Sequence, residues 1–415
     1  MKLSKLLDFV ALDIETTGLS EQKDEIIEIA AIRFKGGIVT EVFDSFVRPR
    51  GRVPKFIQFL THISIEQLSS APELKEVLGK LKQFVGKSPL VGHNIAFDMG
   101  FINHNMVMTG DFPLLNERWD TADVSRIYYP FTTDHKLGTM VRYCGITLEN
   151  AHRADADATA TGYLLLKMAD HITDHYTMVT NSRILSLARM AQLESCGFLE
   201  LVLEHQKATA ISAPPTAKVT SPYFNLIDNS IPATPNPAID SVFGENGLFA
   251  HSFPNFEFRY GQVQMAKAVE EAFKKSEHLV VEAGTGVGKS FAYLVPSLEF
   301  AHRNKSKVVV STNTKNLQEQ LFFKDLPQLK KILPVPFKAV LVKGRENYVC
   351  ERRWEEMVTQ RELSAWDAQS LLHLYIWKMH TLTGDVSENS SFDRSRYSIT
   401  WHKVCSDRYL CGNRK

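Results

Sequence analysis

The chain has 415 residues, of which 44% are hydrophobic and 23% charged, and its formal net charge is +1. This is ordinary globular composition, long enough for two or three domains with their own cores. It excludes a global basic field, so any surface for a polyanion must be local.

The opening Met1-Lys-Leu-Ser-Lys-Leu-Leu7 runs straight into an apolar segment and offers no signal-peptide cleavage pattern. No apolar stretch is long enough to span a bilayer, so no membrane partner is expected. The five cysteines, Cys144, Cys196, Cys350, Cys405 and Cys411, are an odd number spread over a long chain. They predict a reducing, cytoplasmic setting rather than a disulfide framework.

Residues 9–15 read as the first strand. Asp13 and Glu15 lie two apart, so both carboxylates point to one face while Leu12 and Ile14 point into a core. Neighbouring carboxylates repel unless a cation sits between them, and a divalent metal is the usual answer. Taken alone, the commoner reading is solvated acids on an edge strand. Residues 26–35 and 41–48 form the second and third strands, with Gly36-Gly37 as a hairpin signal. Helical periodicity follows at 65–68 and 74–84. Residues 89–92 read as a short buried strand, after which Asn94 can cap a helix carrying Phe97, Asp98, Phe101 and Ile102. Residues 119–121 are another short strand; 136–144, 152–171 and 187–204 read as helices. Strands first and helices mixed in afterwards predict an α/β fold with a mixed sheet. From about 206 to 246 prolines crowd the chain and periodicity disappears, which predicts a semi-extended linker. A second α/β unit begins near Phe253. The expected segments are 1–175, 176–245 and 246–415.

Three stretches align with the opening strand: Asp13-Ile-Glu15 leading into Thr16-Thr-Gly-Leu19, Gly92-His-Asn-Ile-Ala-Phe-Asp98, and His152-Arg-Ala-Asp-Ala-Asp157-Ala158. In this order and spacing they resemble the DEDDh branch of the DnaQ-like 3′→5′ exonucleases, over residues 8 to about 170. The resemblance implies an RNase H-like mixed sheet and hydrolysis of single-stranded DNA or RNA from a 3′ end. Two divalent ions about 4 Å apart suit that chemistry, and Mg²⁺ or Mn²⁺ prefers the oxygens of Asp and Glu. By resemblance Asp13 bridges both ions, Glu15 and Asp157 complete the site holding the attacking water, and Asp98 serves the second ion. His152 is the implied general base, a task suited to imidazole's ordinary pKa of about 6.5. The five-residue step to Asp157 requires His152 to lie just before its helix. Asp155 is the rival of Asp157, and the family spacing favours Asp157. His93 reads as a structural partner. The backbone of Thr16, Thr17 and Gly18 can approach the terminal nucleotide.

A second constellation is Val280-Val-Glu-Ala283-Gly284-Thr285-Gly286-Val287-Gly288-Lys289-Ser290, an apolar strand running into a glycine loop and then a helix. Glycines let backbone amides wrap phosphate, Lys289 reaches the β/γ oxygens, and Ser290 can ligate Mg²⁺. With Gln262 upstream and Thr312-Asn313-Thr314 downstream, the loop resembles the superfamily-two helicases of the DinG/XPD branch. That implies ATP as ligand, adenine read by Gln262, and an incomplete RecA-like P-loop domain. Residues 342–350 resemble the entry to that branch's iron–sulfur region. Cys350, Cys405 and Cys411 are candidate ligands of a [4Fe–4S] cluster, which needs four thiolates; zinc is the chemical competitor. Cys144 and Cys196 read as packing residues.

An exonuclease, a Pro-rich linker and the start of a DinG-like motor resemble the exonuclease-fused DinG type. Walker B and the second motor domain are not in the chain, so the expectation is an N-terminal portion that cuts but does not unwind. The expected whole is a 3′→5′ exonuclease joined to an ATP-dependent DNA helicase of replication or repair. The alternative is a nuclease whose ATP-binding half regulates or grips DNA.

Overall fold

The computed structural model describes residues 1–147, 152–209, 226–229 and 237–407, which fall into two units. The first begins with β1 (Asp8–Thr16), β2 (Ile26–Lys35) and β3 (Ile38–Phe46). The β2–β3 turn sets both Gly36 and Gly37 at positive φ, the conformation a two-residue hairpin loop demands. There follow α1 (Lys55–Thr61), α2 (Ile65–Ser69), α3 (Leu74–Val85), β4 (Leu90–Gly92), α4 (Ile95–Met108), β5 (Arg118–Asp120), α5 (Thr121–Tyr128) and α6 (Leu137–Tyr143). The helices α7 (Ala154–His175), α8 (Met178–Met190) and α9 (Cys196–Thr209) complete this stretch.

The sheet order is β3-β2-β1-β4-β5, with β1–β2 and β2–β3 antiparallel and β1–β4 and β4–β5 parallel. The mixed sheet expected from the sequence is therefore present. β1 lies at its centre and is covered on both faces. Phe9 and Ala11 face α7, together with Ala30, Ile32 and Phe34 of β2. Val10, Leu12 and Ile14 face the other way, against Leu81 of α3 and Met99 and Ile102 of α4. The α7 backbone comes so close to β2 that a Cβ on Gly162 would meet the Phe34 ring at 2.2 Å. A third cluster, Ile27, Val53, Ile57, Ile63 and Leu68, seats α1 and α2 beside the end of β2.

The second unit spans residues 224–344. Its elements are β6 (Leu226–Asn229), α10 (Ile239–Phe243), α11 (Leu248–Ser252), α12 (Tyr260–Lys275), α13 (Lys289–Asn304), α14 (Lys315–Gln320), α15 (Leu326–Ile332) and β7 (Phe337–Val340). β6 and β7 pair antiparallel. Phe243, Phe249, Val263, Ala266, Val295 and Leu329 form its core. The strand expected before the glycine loop is not formed, and the apolar run at 308–310 forms none either. A strand exists only through a ladder partner, and among the described residues these two runs have none; Val280 is 97% exposed and Val309 89%.

The chain then continues with α16 (Glu351–Val358), α17 (Ala365–His380) and α18 (Ser398–Val404), which belong to the first unit. This corrects the expected segmentation in two places. Residues 345–407 pack in the first unit: Trp354, Leu371, Trp377 and Trp401 share one apolar core with α5, α7, α8 and α9. Helices α8 and α9, expected as an extension before the linker, are part of that core too. Its apolar helix faces decide the matter, because they are buried only when brought together. Polar contacts follow the same seam. The Ser390 N–H donates to the Pro130 carbonyl at 2.9 Å, and the Ser390 and Ser391 hydroxyls lie 3.2 and 3.0 Å from His135 Nε2. The Pro-rich stretches at 213–215, 222 and 232–235 lie outside the described residues. No helix among the described residues is long and apolar enough to cross a membrane.

The shared core carries a prediction. Trp377 is fully buried in it, so Trp377→Ala should destabilise the first unit by about 3–5 kcal/mol. Hydrogen exchange should then speed up at the amides of β1 and α7, more than 200 positions away in sequence. Unchanged exchange there would mean that residues 345–407 fold separately.

Candidate active site

The site forms where β1 outruns β4 while staying paired with β2. The β1–β4 ladder covers only Val10 and Ala11. Further along, the Ile14 N–H donates to Asp98 Oδ1 at 3.1 Å, which draws the buried Asp98 of α4 to the strand end. On the opposite edge Glu15 stands across from Glu28 in the β1–β2 register, next to an irregularity between Glu15 and Thr16. From the helix layer comes Asp157, in the first turn of α7. His152 lies just before that helix, as the spacing required. It is exposed, at φ +68°, and its backbone N–H donates to Asp157 Oδ2 at 3.2 Å.

All five residues singled out in the sequence thus converge. Glu15, His152 and Asp157 each offer a ligand atom, and these atoms lie within 4.8 Å of one another. Asp13 is flanked by Asp98, Asp157, Glu15 and Glu28. Burial, reinforced by these acids, pushes the Asp13 carboxyl well above the ordinary carboxylate range. Burial and the Asp157 charge push Glu15 up to about 8. Burial pushes Asp98 up to about 8 against the lowering effect of its backbone hydrogen bonds. Asp157 is also raised, chiefly by burial. Its Oδ1 is buried with no hydrogen-bond partner among the described residues. Asp155 sits in the same first turn and is partly exposed.

The sequence reading assigned no role to Glu28, Arg153 or Asp120. Glu28 is 0% exposed, and Arg153 grips its carboxylate with Nη2 at 2.6 Å and Nε at 3.1 and 3.3 Å. The Ala154 N–H adds a donor at 3.1 Å, so Glu28 also caps the start of α7. An acid inside the apolar run of residues 26–32, with Arg153 beside His152, was the available signal. Asp120 overturns the capping role expected of Asn94. Asn94 occupies the N-cap position in a left-handed conformation, φ +74°, and its side chain makes no capping bond. The Asp120 carboxylate accepts the Asn94 and Ile95 N–H groups instead, at 2.9 and 3.2 Å, and also caps α5. His93 is structural, as expected: its ring nitrogens lie 2.9 Å from Thr121 Oγ1 and 2.8 Å from the His135 carbonyl.

In the second unit the glycine loop is formed. Gly286 and Gly288 take φ near +85° and +83°, which L side chains rarely adopt. Lys289 Nζ donates to the Ala283 and Gly284 carbonyls at 2.8 and 3.0 Å, spanning the loop. The buried Gln262 donates to the Gly288 carbonyl at 2.9 Å, and Arg259 to that of Gly286. Thr285 and Val287 line the same turn, Ser290 opens α13, and Thr314 caps α14.

Cys350 and Cys405 are brought close by a bridge between Val349 and Cys405, and the Cys350 N–H donates to the Val404 carbonyl at 2.8 Å. Cys411 lies outside the described residues. A four-thiolate set is not assembled among the described residues, and burial raises the Cys405 thiol rather than favouring its thiolate.

Residues 10–165 match the Exonuclease family, RNase_T, and residues 262–358 match the DEAD/DEAH box helicase family. The chain is 32% identical over 391 residues to the 3′-5′ exonuclease DinG of Bacillus subtilis, covering 92% of this chain and 41% of that protein. It is 28% identical over 384 residues to the protein of the same name from Staphylococcus epidermidis, covering 92% and 42%. The chain therefore spans about two fifths of the length of these relatives. Among solved structures it is similar to E. coli exonuclease I in complex with a dA16 oligonucleotide, with a TM-score of 0.36, 20% identity, and coverage of 41% of this chain and 44% of that one. The chain thus carries a match to the Exonuclease family followed by a match to the DEAD/DEAH box helicase family.

Proposed function

We propose that the first unit is a 3′→5′ exonuclease that hydrolyses single-stranded nucleic acid with two divalent ions, Mg²⁺ or Mn²⁺. The carrying observation is the convergence of Asp13, Glu15, Asp98 and Asp157 with His152 at one strand end. A fold gains nothing from crowding acids that repel and desolvate one another unless a cation offsets the cost. The residues fit such ions: the donors are hard oxygens, and Asp157 Oδ1 is buried with no hydrogen-bond partner among the described residues. Asp13, Glu15, Asp98 and Asp157 would hold them, and the bound ions supply an activated water and charge neutralisation at the leaving oxygen. His152, outside the helix and exposed, takes the proton from that water. The Glu28–Arg153 pair fixes the backbone on which His152 is mounted. The names of the relatives support the 3′→5′ polarity.

The second unit, on this reading, binds ATP through residues 283–290, with Gln262 against adenine, as part of a helicase motor in DNA replication or repair. Lys289 would exchange its bonds to the Ala283 and Gly284 carbonyls for phosphate oxygens. The odd, dispersed cysteines fit a reducing, cytoplasmic setting.

Three outcomes are expected. Asp13→Ala abolishes Mg²⁺- or Mn²⁺-dependent nucleotide release from a labelled 3′ end, and His152→Ala slows it by about 10²–10⁴-fold; digestion at the parent rate by Asp13→Ala would refute the assignment. Lys289→Ala weakens ATP binding, read by calorimetry, and leaves nuclease chemistry intact. The third concerns pH. The native pKa values of Glu15 and Asp98, about 8, lie above those of the unfolded chain. As pH rises from about 4.5 to about 8, the unfolded chain gives up protons that the metal-free native state still holds, so native stability falls across that window. Divalent ions replace those protons. Added Mg²⁺ should therefore raise the thermal midpoint more at about pH 8 than at about pH 5.5; an equal rise at both would contradict the linkage.

A further inference from the structure

Between β3 and α1 the chain reads Arg48-Pro-Arg50-Gly-Arg52-Val-Pro-Lys55-Phe56. Arg48 pairs with Glu73 at 3.0 Å. Arg50, Arg52 and Lys55 are exposed, and their side chains enter no ion pair among the described residues. On α1 the buried side is Ile57, seated in the cluster with Ile27 and Ile63. The outer side displays two aromatic rings: Phe56 is 64% exposed and Phe59 81%. A single exposed apolar residue is unremarkable, but two rings beside three unpaired cations are a basic, aromatic surface.

Its position relative to the acids is set by hydrogen bonds. The Arg50 and Gly51 N–H groups donate to the Glu25 carboxylate at 3.0 and 2.8 Å. Glu25 in turn is latched to Thr17: the Thr17 N–H donates to the Glu25 carbonyl at 2.9 Å, and the Glu25 N–H to Thr17 Oγ1 at 2.9 Å. Thr17 lies two residues beyond Glu15. The underlying cluster holds Ile27, the neighbour of Glu28, which stands opposite Glu15. The basic loop and α1 are thus tied to the same strand end as the carboxylates.

We propose that Arg50, Arg52, Lys55, Phe56 and Phe59 form a track for the single strand of nucleic acid whose 3′ end occupies the acidic site. The direction of the track rests on the nuclease reading. A polyanion is the occupant the charges select, since three unpaired cations lie beside a site whose own acids would repel it. Cations follow the phosphates while bases stack on the two rings, an arrangement tolerant of sequence because every base has a π-face. The His62 ring, 6.3 Å from that of Phe59, extends the platform.

The test uses the full chain and a fluorescent dT oligomer in EDTA, so that binding is read without hydrolysis. Phe56→Ala/Phe59→Ala should weaken binding by roughly tenfold or more. Arg50→Ala/Arg52→Ala/Lys55→Ala should lower the slope of log affinity against log salt by about 2. Both variants should keep the parent's circular dichroism, since the altered side chains are exposed. Both should also hydrolyse the p-nitrophenyl ester of thymidine 5′-monophosphate, which is too short to reach the track, at the parent rate with Mn²⁺. Parent-like oligomer affinity and salt slope in both variants would overturn the track, and a change only in sedimentation would assign the surface to a protein contact and overturn it as well. The ester assay separately judges the nuclease reading, because a parent protein that binds the oligomer but leaves the ester intact would refute that reading and not the track.

Discussion

Mutual repulsion among Asp13, Glu15, Asp98 and Asp157 is the constraint around which the first unit is built. The carboxylates are held in two ways. Asp13 and Glu15 ride on a strand anchored on both faces. Asp98 is pinned by the Ile14 N–H, and Asp157 by the N–H of His152. Without a cation the cluster stays together by keeping protons, which is why burial lifts its carboxyls so far. The fold carries this as a standing cost, offset by the apolar cores above and below the sheet.

Glu28 and Arg153 link that cluster to the helix layer. A fully buried acid needs a strong partner, and the forked guanidinium supplies two nitrogens to it. Because Arg153 directly follows His152, the pair also holds the backbone carrying the exposed imidazole. Removing one partner would leave a buried charge unpaired, a loss on the order of 3–5 kcal/mol. The imidazole itself remains exposed to solvent.

Residues 345–407 give the first unit a form that chain order hides. They add α17 against α5 and α8 and place Ser390 and Ser391 beside His135. His135 accepts from His93 through its carbonyl, and His93 immediately precedes the turn into α4. The segment bearing Cys350 and Cys405 is therefore packed into the body that positions Asp98, although the glycine loop lies between them in sequence.

The sequence by itself picked out the candidate site residues. Asp13, Glu15, Asp98, His152 and Asp157 were legible because strand period and helix position follow from local residue order, and because three spaced stretches resembled one family. Gly286 and Gly288 were legible for a similar reason, since a positive φ selects glycine. Tertiary structure alone decided what depends on partners distant in sequence. Asp120 rather than Asn94 caps α4, because its carboxylate arrives from β5. Glu28 is a site-supporting acid only because the β1–β2 register sets it opposite Glu15 and α7 brings Arg153 to it. The apolar run before the glycine loop, with Val280 and Val281, looked like a strand, yet a strand requires a ladder. Residues 345–407 belong with the first unit because buried apolar faces find each other across any length of chain, and no local pattern records which face will be the partner.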